Sequence, residues 1–142
     1  MDRLIRSADA SLPAVLVVDD EEVVRTLAAE ILTQSGLKVF EAADAVQAIA
    51  RLDEQPEIRA MIADVFMPGP LDGLDLGYVV SRRHPKVGLI ITSSRLIEPL
   101  NSILPDAQYL VKPFSPAALC SAVRRAIASG ASPLPGARET RS

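Results

Sequence analysis

Four short apolar runs, each closed by a charged or hydroxyl-bearing residue, constrain this chain more than any other feature. Val15 to Val18 lead into Asp19 and Asp20, Met61 to Ala63 into Asp64, Val87 to Ile91 into Thr92, and Tyr109 to Val111 into Lys112 and Pro113. Near-continuous apolar runs of this length suit strands buried on both faces, which occur in parallel sheets covered by helices. The intervening segments supply those helices. After Asp20, the apolar residues Val24, Leu27, Ala28, Ile31 and Leu32 recur at helical spacing, and Gly36 sits where a left-handed C-terminal cap is wanted. Leu37 to Glu41 then reads as a further strand. Asp44 is placed to cap a helix carrying Val46, Ala48, Ile49 and Leu52, with Gln47 completing a capping box. Leu74 to Arg83 forms a third helix ended by Pro85, and Ser115 with Pro116 opens a last one whose stripe is Leu119, Ala122, Val123, Ala126 and Ile127. Strands alternating with helices predict a doubly wound α/β sandwich on five parallel strands.

In open α/β sheets ligands bind beyond the carboxyl ends of the strands, so residues placed there converge on one crevice. Three carboxylates (Asp19, Asp20, Asp64), the Thr92 hydroxyl and the Lys112 ammonium would share it. Carboxylates crowded in a partly dry site repel one another, and a hard divalent cation bound through oxygen relieves that repulsion. Mg²⁺ suits the set better than zinc, because His84 and Cys120 are the chain's single histidine and single cysteine. A carboxylate beside such a cation can attack phosphorus and form an aspartyl phosphate, with Lys112 and Thr92 holding the equatorial oxygens. Phosphoryl transfer of this kind is mostly positioning and electrostatics, so a small constellation suffices. Taken singly, each residue has a plainer reading. Asp19 and Asp20 can cap the first helix, Asp64 can be a turn residue, Thr92 a strand-end hydroxyl and Lys112 a loop lysine. Their order, each on its own strand end, favours one pocket.

The ordered set Asp19-Asp20, Asp64 with Met67-Pro68, Asp72-Gly73, Thr92 and Lys112-Pro113-Phe114 resembles the receiver domain of two-component response regulators, over Val15 to about Ser129. The resemblance implies a flavodoxin-like fold with strand order 2-1-3-4-5 flanked by five helices. It implies Asp64 as phosphoacceptor, Asp20 as a direct Mg²⁺ ligand, Asp19 acting mainly through water, and the backbone carbonyl of Phe66 as the remaining protein ligand. Thr92 would be the switch hydroxyl, Lys112 the ion partner of the phosphoryl group, and Tyr109 the aromatic switch. A cis Lys112-Pro113 bond is suggested by the family, and the small energy difference at X-Pro leaves both isomers open. The implied partners are a histidine kinase or phosphotransfer protein, a downstream protein of unknown identity, and a second copy through the face of the fourth helix, fifth strand and fifth helix. Two departures stand out. The loop Met67 to Gly73 is one residue longer than the commonest form, and Pro99 interrupts Ser94 to Leu104, leaving a fourth helix that is short or irregular.

Composition fits one domain: 142 residues at 49% hydrophobic content give a single core. A net charge of 15 minus 18, or −3, gives no basic field for nucleic acid or an anionic membrane. No run approaches the roughly 18 apolar residues of a membrane span, the first ten residues lack a signal-peptide core, and one cysteine cannot form an internal disulfide, so the expected location is cytoplasmic. Residues 1–13 read as an extension, 14–129 as the receiver domain, and 130–142, rich in small residues and proline, as a flexible tail. That tail is too short for an output domain, which predicts a stand-alone receiver rather than a dedicated enzyme. The competing readings are a phosphorylation-independent interaction module of the same fold and an aspartyl-phosphate phosphatase of the haloacid-dehalogenase type. The latter pattern has its second Asp two positions after a first-strand nucleophile, whereas Asp19 and Asp20 are adjacent. His84 at a helix end is an ordinary partner of the helix dipole. Cys120 is off the buried stripe, and Ser93, Ser94 and Phe66 are placed to line the rim.

Overall fold

The structure is a computed structural model that describes residues 12–94 and 104–131. In chain order the elements are β1 (Ala14–Val18), α1 (Glu22–Gln34), β2 (Lys38–Ala42), α2 (Ala45–Glu54), β3 (Ile58–Asp64), α3 (Gly73–Arg83), β4 (Gly88–Ser93), β5 (Gln108–Val111) and α4 (Pro116–Ala131). The five strands are all parallel, in the expected order β2-β1-β3-β4-β5. Of the five helices expected, four are among the described residues. The short or irregular fourth one falls on residues 95–103, outside them, as do residues 1–11 and 132–142 of the two end segments. Helix α4 continues through Gly130 to Ala131, into the stretch that composition assigns to the tail.

Alternating residues of the strands feed two apolar layers. Ala14, Leu16, Val18, Met61 and Ile91 face α2 and α3 through Ala48, Leu52, Leu76 and Val80. Val15, Val17, Ile62 and Ile90 face α1 and α4 through Leu32, Leu119 and Val123. Strands covered on both sides need no polar face, which is why their sequences read as unbroken apolar runs. The expected stripe of α1 shifts in one respect. Ala28, Ala29 and Leu32 are buried, whereas Leu27 is 56% exposed and lies with the 80% exposed Val23 on the outer side. Val46 of α2 is likewise exposed. Helical spacing identifies an apolar arc but not which edge of a wide arc meets the sheet.

The helix ends follow local chemistry. Gly36, with φ of 99°, closes α1: its N–H reaches the Thr33 carbonyl at 3.0 Å and the Leu37 N–H reaches Leu32 at 3.2 Å. These are the paired bonds of a Schellman cap, and the Leu32 and Leu37 side chains belong to the same cluster. Ser115 Oγ accepts the Ala118 N–H at 3.0 Å, as its position before Pro116 predicts. At α2 the expected capping box is altered. Asp44 accepts the Gln47 N–H, but the Gln47 side chain accepts from Ala43 rather than from Asp44. The full box is at α3, where Asp72 and Asp75 bond reciprocally and fix the turn just after the loop that follows β3. An L-residue with a Cβ is strained at the Gly36 conformation, so Gly36→Ala is expected to lower stability by about 1 kcal/mol. Urea denaturation monitored by far-UV circular dichroism measures it.

Candidate functional site

Parallel register brings the expected residues together. Val18 pairs with Ala63, which sets Asp19 at the end of β1 beside Asp64 at the end of β3. Asp64 in turn pairs with Thr92 on β4, and Ser93 pairs with Val111, the residue before Lys112. Strand pairing runs slightly past the strands: the Val65 N–H donates to the Thr92 carbonyl at 2.8 Å and the Lys112 N–H to the Ser93 carbonyl at 2.7 Å. The backbone at each side-chain position is therefore held by the sheet. Lys112-Pro113 is cis. Thr92 lies within β4, not just beyond it, and is 2% exposed.

Ligand oxygens of Asp19, Asp20 and Asp64 lie within 4.8 Å of one another. Asp19, only 4% exposed, has both carboxylate oxygens engaged: Oδ1 accepts the Glu21 N–H at 2.9 Å and Oδ2 accepts from Lys112 Nζ at 3.3 Å. Lys112 Nζ also donates to Asp64 Oδ2 at 3.1 Å, while Asp64 Oδ1 accepts the Phe66 N–H at 3.3 Å. Asp20 is exposed, and among the described residues nothing holds its carboxylate. The plainer reading of the pair as a helix cap is only loosely met. The α1 N-cap is Glu21, whose side chain makes no cap bond, and Asp19 takes the amide of that N-cap residue itself.

Three carboxylates face one ammonium. Burial pulls the Lys112 pKa down, but the hydrogen bond to Asp64 and the charges of Asp19 and Asp64 outweigh it, so the pKa is raised above the usual lysine value. Lys112 remains an ammonium, and its charge leaves the carboxylates in excess. Hard oxygen donors, crowded and incompletely neutralised, fit a small divalent cation. None of the grouped ligands is histidine or cysteine. Cys120, partly buried on α4, packs in the other layer, and His84 caps α3, where its Nε2 meets Asp53 Oδ1 at 2.9 Å.

The remaining candidates surround this cluster. Phe66, 56% exposed, follows Asp64 on the outgoing loop, and its amide bond to the Asp64 carboxylate curls that loop over the strand end. Tyr109 is half-buried against the α2 and α3 layer, and its hydroxyl donates to the Leu104 carbonyl at 2.7 Å. Burial raises the Tyr109 pKa. Gly73, part of the Asp72-Gly73 element of the motif, has a contact that the residue pattern does not reveal, and Arg25 carries no signal there at all. At Gly73 a Cβ would overlap the Asp64 carbonyl oxygen, so α3 begins in direct backbone contact with the site. Arg25 of α1 donates through Nη1 to the Asp19 carbonyl at 2.9 Å and through Nε to Glu41 at 3.0 Å. In the sequence Arg25 is an ordinary polar position on an amphipathic helix.

Comparison with known proteins places this geometry. Residues 15–124 match the family described as response regulator receiver domain. An NtrX-like response regulator of Rickettsia bellii is 37% identical over 120 residues, covering 82% of this chain and 25% of that protein. The chain thus spans about a quarter of the length of the NtrX-like relatives it matches. The crystal structure of the receiver domain of NtrX from Brucella abortus superposes with a TM-score of 0.71 at 29% identity, covering 81% of this chain and 98% of that one. A CheY-like receiver domain protein from Methanospirillum hungatei shares the fold at 21% identity and a TM-score of 0.75, covering 84% and 96%.

The Lys112 pKa has a consequence for stability. A lysine whose folded pKa lies above its unfolded value stabilises the fold fully below the ordinary value of 10.5 and loses that contribution as pH rises through the folded pKa. In Mg²⁺-free buffer the parent is therefore expected to be more stable than Lys112→Met at neutral pH, with the difference shrinking at the alkaline end. Urea unfolding of both chains at a series of pH values reads this out.

Proposed function

The chain belongs to the response regulator receiver domain family of two-component signalling, and from that premise we propose that it is a Mg²⁺-dependent phosphoacceptor whose acceptor is Asp64. The observation that carries the reading is the Lys112 ammonium bridging Asp19 and Asp64 inside a cluster of three carboxylates. In this reading residues 14–129 form the receiver unit, with α4 running on to Ala131.

The step is a displacement at phosphorus. An Asp64 carboxylate oxygen forms a bond to the phosphorus of a phosphohistidine, the P–N bond breaks, and the imidazole leaves with the electron pair and takes up a proton. Asp20, Asp64 and the Phe66 carbonyl would hold Mg²⁺ directly and Asp19 through water. The ion when bound neutralises charge on the incoming phosphoryl group. Lys112 is already held at Asp64 by hydrogen bonding, so its ammonium waits where phosphoryl oxygens arrive and needs little reorganisation. Thr92, paired with Asp64 across the sheet, supplies a hydroxyl on the neighbouring strand. Gly73 keeps the wall of the pocket at backbone distance, since a side chain there would displace Asp64.

The donor is a histidine kinase or phosphotransfer protein. An apolar groove of about 480 Å³ lined by Val23, Leu27, Ile31, Pro113 and Phe114 runs beside Lys112 and offers such a protein a seat next to the acceptor. Output is a protein-binding face or onward transfer of the phosphoryl group, not turnover of a substrate. Tyr109, whose hydroxyl is tied to Leu104 in this structure, is the element that reports the change. A second copy would bind through the face expected of the fourth helix, which lies outside the described residues, together with β5 and the last helix α4. No helix among the described residues is long and apolar enough to cross a membrane.

Intact-mass spectrometry after treatment with acetyl phosphate tests the chemistry: a single phosphoryl addition is expected with Mg²⁺, and none with chelator or in Asp64→Asn. Addition to Asp64→Asn at the parent level would overturn the assignment of the acceptor. For the switch, beryllofluoride with Mg²⁺ is expected to shift the amide resonances of β5 and α4 around Tyr109. Unchanged spectra there, with shifts confined to the pocket, would leave a phosphoacceptor without that output.

A further inference from the structure

We propose that Arg25 is a positioning residue for the cation-binding end of β1, acting through the peptide that joins Asp19 to Asp20. The inference rests on the proposed binding of Mg²⁺ by the carboxylate cluster. Among the described residues nothing holds the Asp20 carboxylate, so its direction is set by the backbone that carries it. The Asp19 carbonyl and the Asp20 amide belong to one planar unit, and fixing that oxygen fixes the plane. Arg25 Nη1 donates to the Asp19 carbonyl at 2.9 Å. On the opposite side of the same residue the Asp19 N–H donates to the Ala42 carbonyl at 3.1 Å, as part of the pairing with β2.

Arg25 is itself anchored. Its Nε donates to Glu41 Oε1 at 3.0 Å, and its side chain is 17% exposed. Glu41 lies on β2 opposite Val17, and its own carbonyl accepts from Arg51 Nε at 3.2 Å. The chain of contacts therefore runs from the sheet through Glu41 and Arg25 to the peptide that launches Asp20. The guanidinium reaches its two partners through separate nitrogens, Nε and Nη1, held on one rigid plane, a geometry that an ammonium at the end of a flexible stem does not reproduce.

Geometry and charge make opposite predictions here. The Arg25 and Glu41 charges offset each other, and removing Arg25 leaves Glu41 behind and makes the neighbourhood of the carboxylates more negative. By Coulomb's law alone that tightens binding of a divalent cation. If Arg25 acts by position, its removal weakens binding, because supports behind a ligand typically change metal affinity by about tenfold or more.

The test is titration of the isotope-labelled full chain with Mg²⁺ alone, followed by amide chemical shifts of the pocket, for the parent, Arg25→Met, Arg25→Lys and Glu41→Gln. The expected result is a Kd raised about tenfold in Arg25→Met, a Kd raised in Arg25→Lys despite its retained charge, and a smaller rise in Glu41→Gln, where the side chain still accepts from Arg25 but without its charge. Dispersed spectra and urea unfolding establish which variants are folded, and Arg25→Lys carries the test should Arg25→Met not fold. Binding in either folded Arg25 variant as tight as, or tighter than, the parent's would overturn the proposal. A parent chain with no Mg²⁺-dependent shifts would instead overturn the cation reading of the pocket on which it rests, an outcome visible before any variant is compared.

Discussion

Lys112 reaches from the end of β5 across the top of the sheet to carboxylates on β1 and β3, and the arrangement of the pocket depends on that contact. Its nitrogen lies 3.3 Å from Asp19 and 3.1 Å from Asp64, so one cation restrains two anions that would otherwise repel. Sheet order makes this possible. With β1 and β3 adjacent and β4 between β3 and β5, a long side chain entering from β5 spans to the centre, whereas a short one would not. The lysine is paired but the cluster is not neutral. The same group offsets the repulsion between Asp19 and Asp64 yet leaves the three carboxylates with an excess of negative charge.

Around this contact the backbone matters as much as the side chains. Sheet hydrogen bonds continue past the strand ends to Asp19, Val65 and Lys112, holding the residues that carry or flank the polar groups. The Phe66 amide turns back onto Asp64, the Asp72 and Asp75 box stops the loop that follows, and Gly73 admits that loop against the Asp64 carbonyl. Arg25 completes the frame from the α1 side. Positioning chemistry of this type gains from rigid supports, because a misplaced ligand loses much of its effect.

Much of this was legible in the residues, for a reason that differs from element to element. The central strands β1, β3 and β4 are covered on both faces, so their sequences are mostly apolar and easily located, and the polar residues at or just past their ends mark the carboxyl ends, whereas the edge strands β2 and β5 are only partly buried. The Gly36 and Ser115 caps were legible because each satisfies orphan backbone groups within a few residues. Helix faces were less so. Leu27 and Val46 fit the apolar periodicity of their helices yet are exposed, since the periodicity does not say how much of an arc the sheet covers. The Gln47 side chain bonded one residue earlier than a capping box requires, a difference of rotamer and not of residue type.

The sequence by itself determined the alternation of strands and helices, the order of the acidic, hydroxyl and lysine positions along the chain, and the resemblance that names the family, because these follow from local periodicity and residue type. Tertiary structure alone decided how close those groups come, that Lys112 bridges Asp19 with Asp64, that Gly73 touches the backbone of Asp64, and that Arg25 and Glu41 brace the end of β1. Distances between residues far apart in the chain are set by strand register and helix packing, and neither is written in any short stretch of residues.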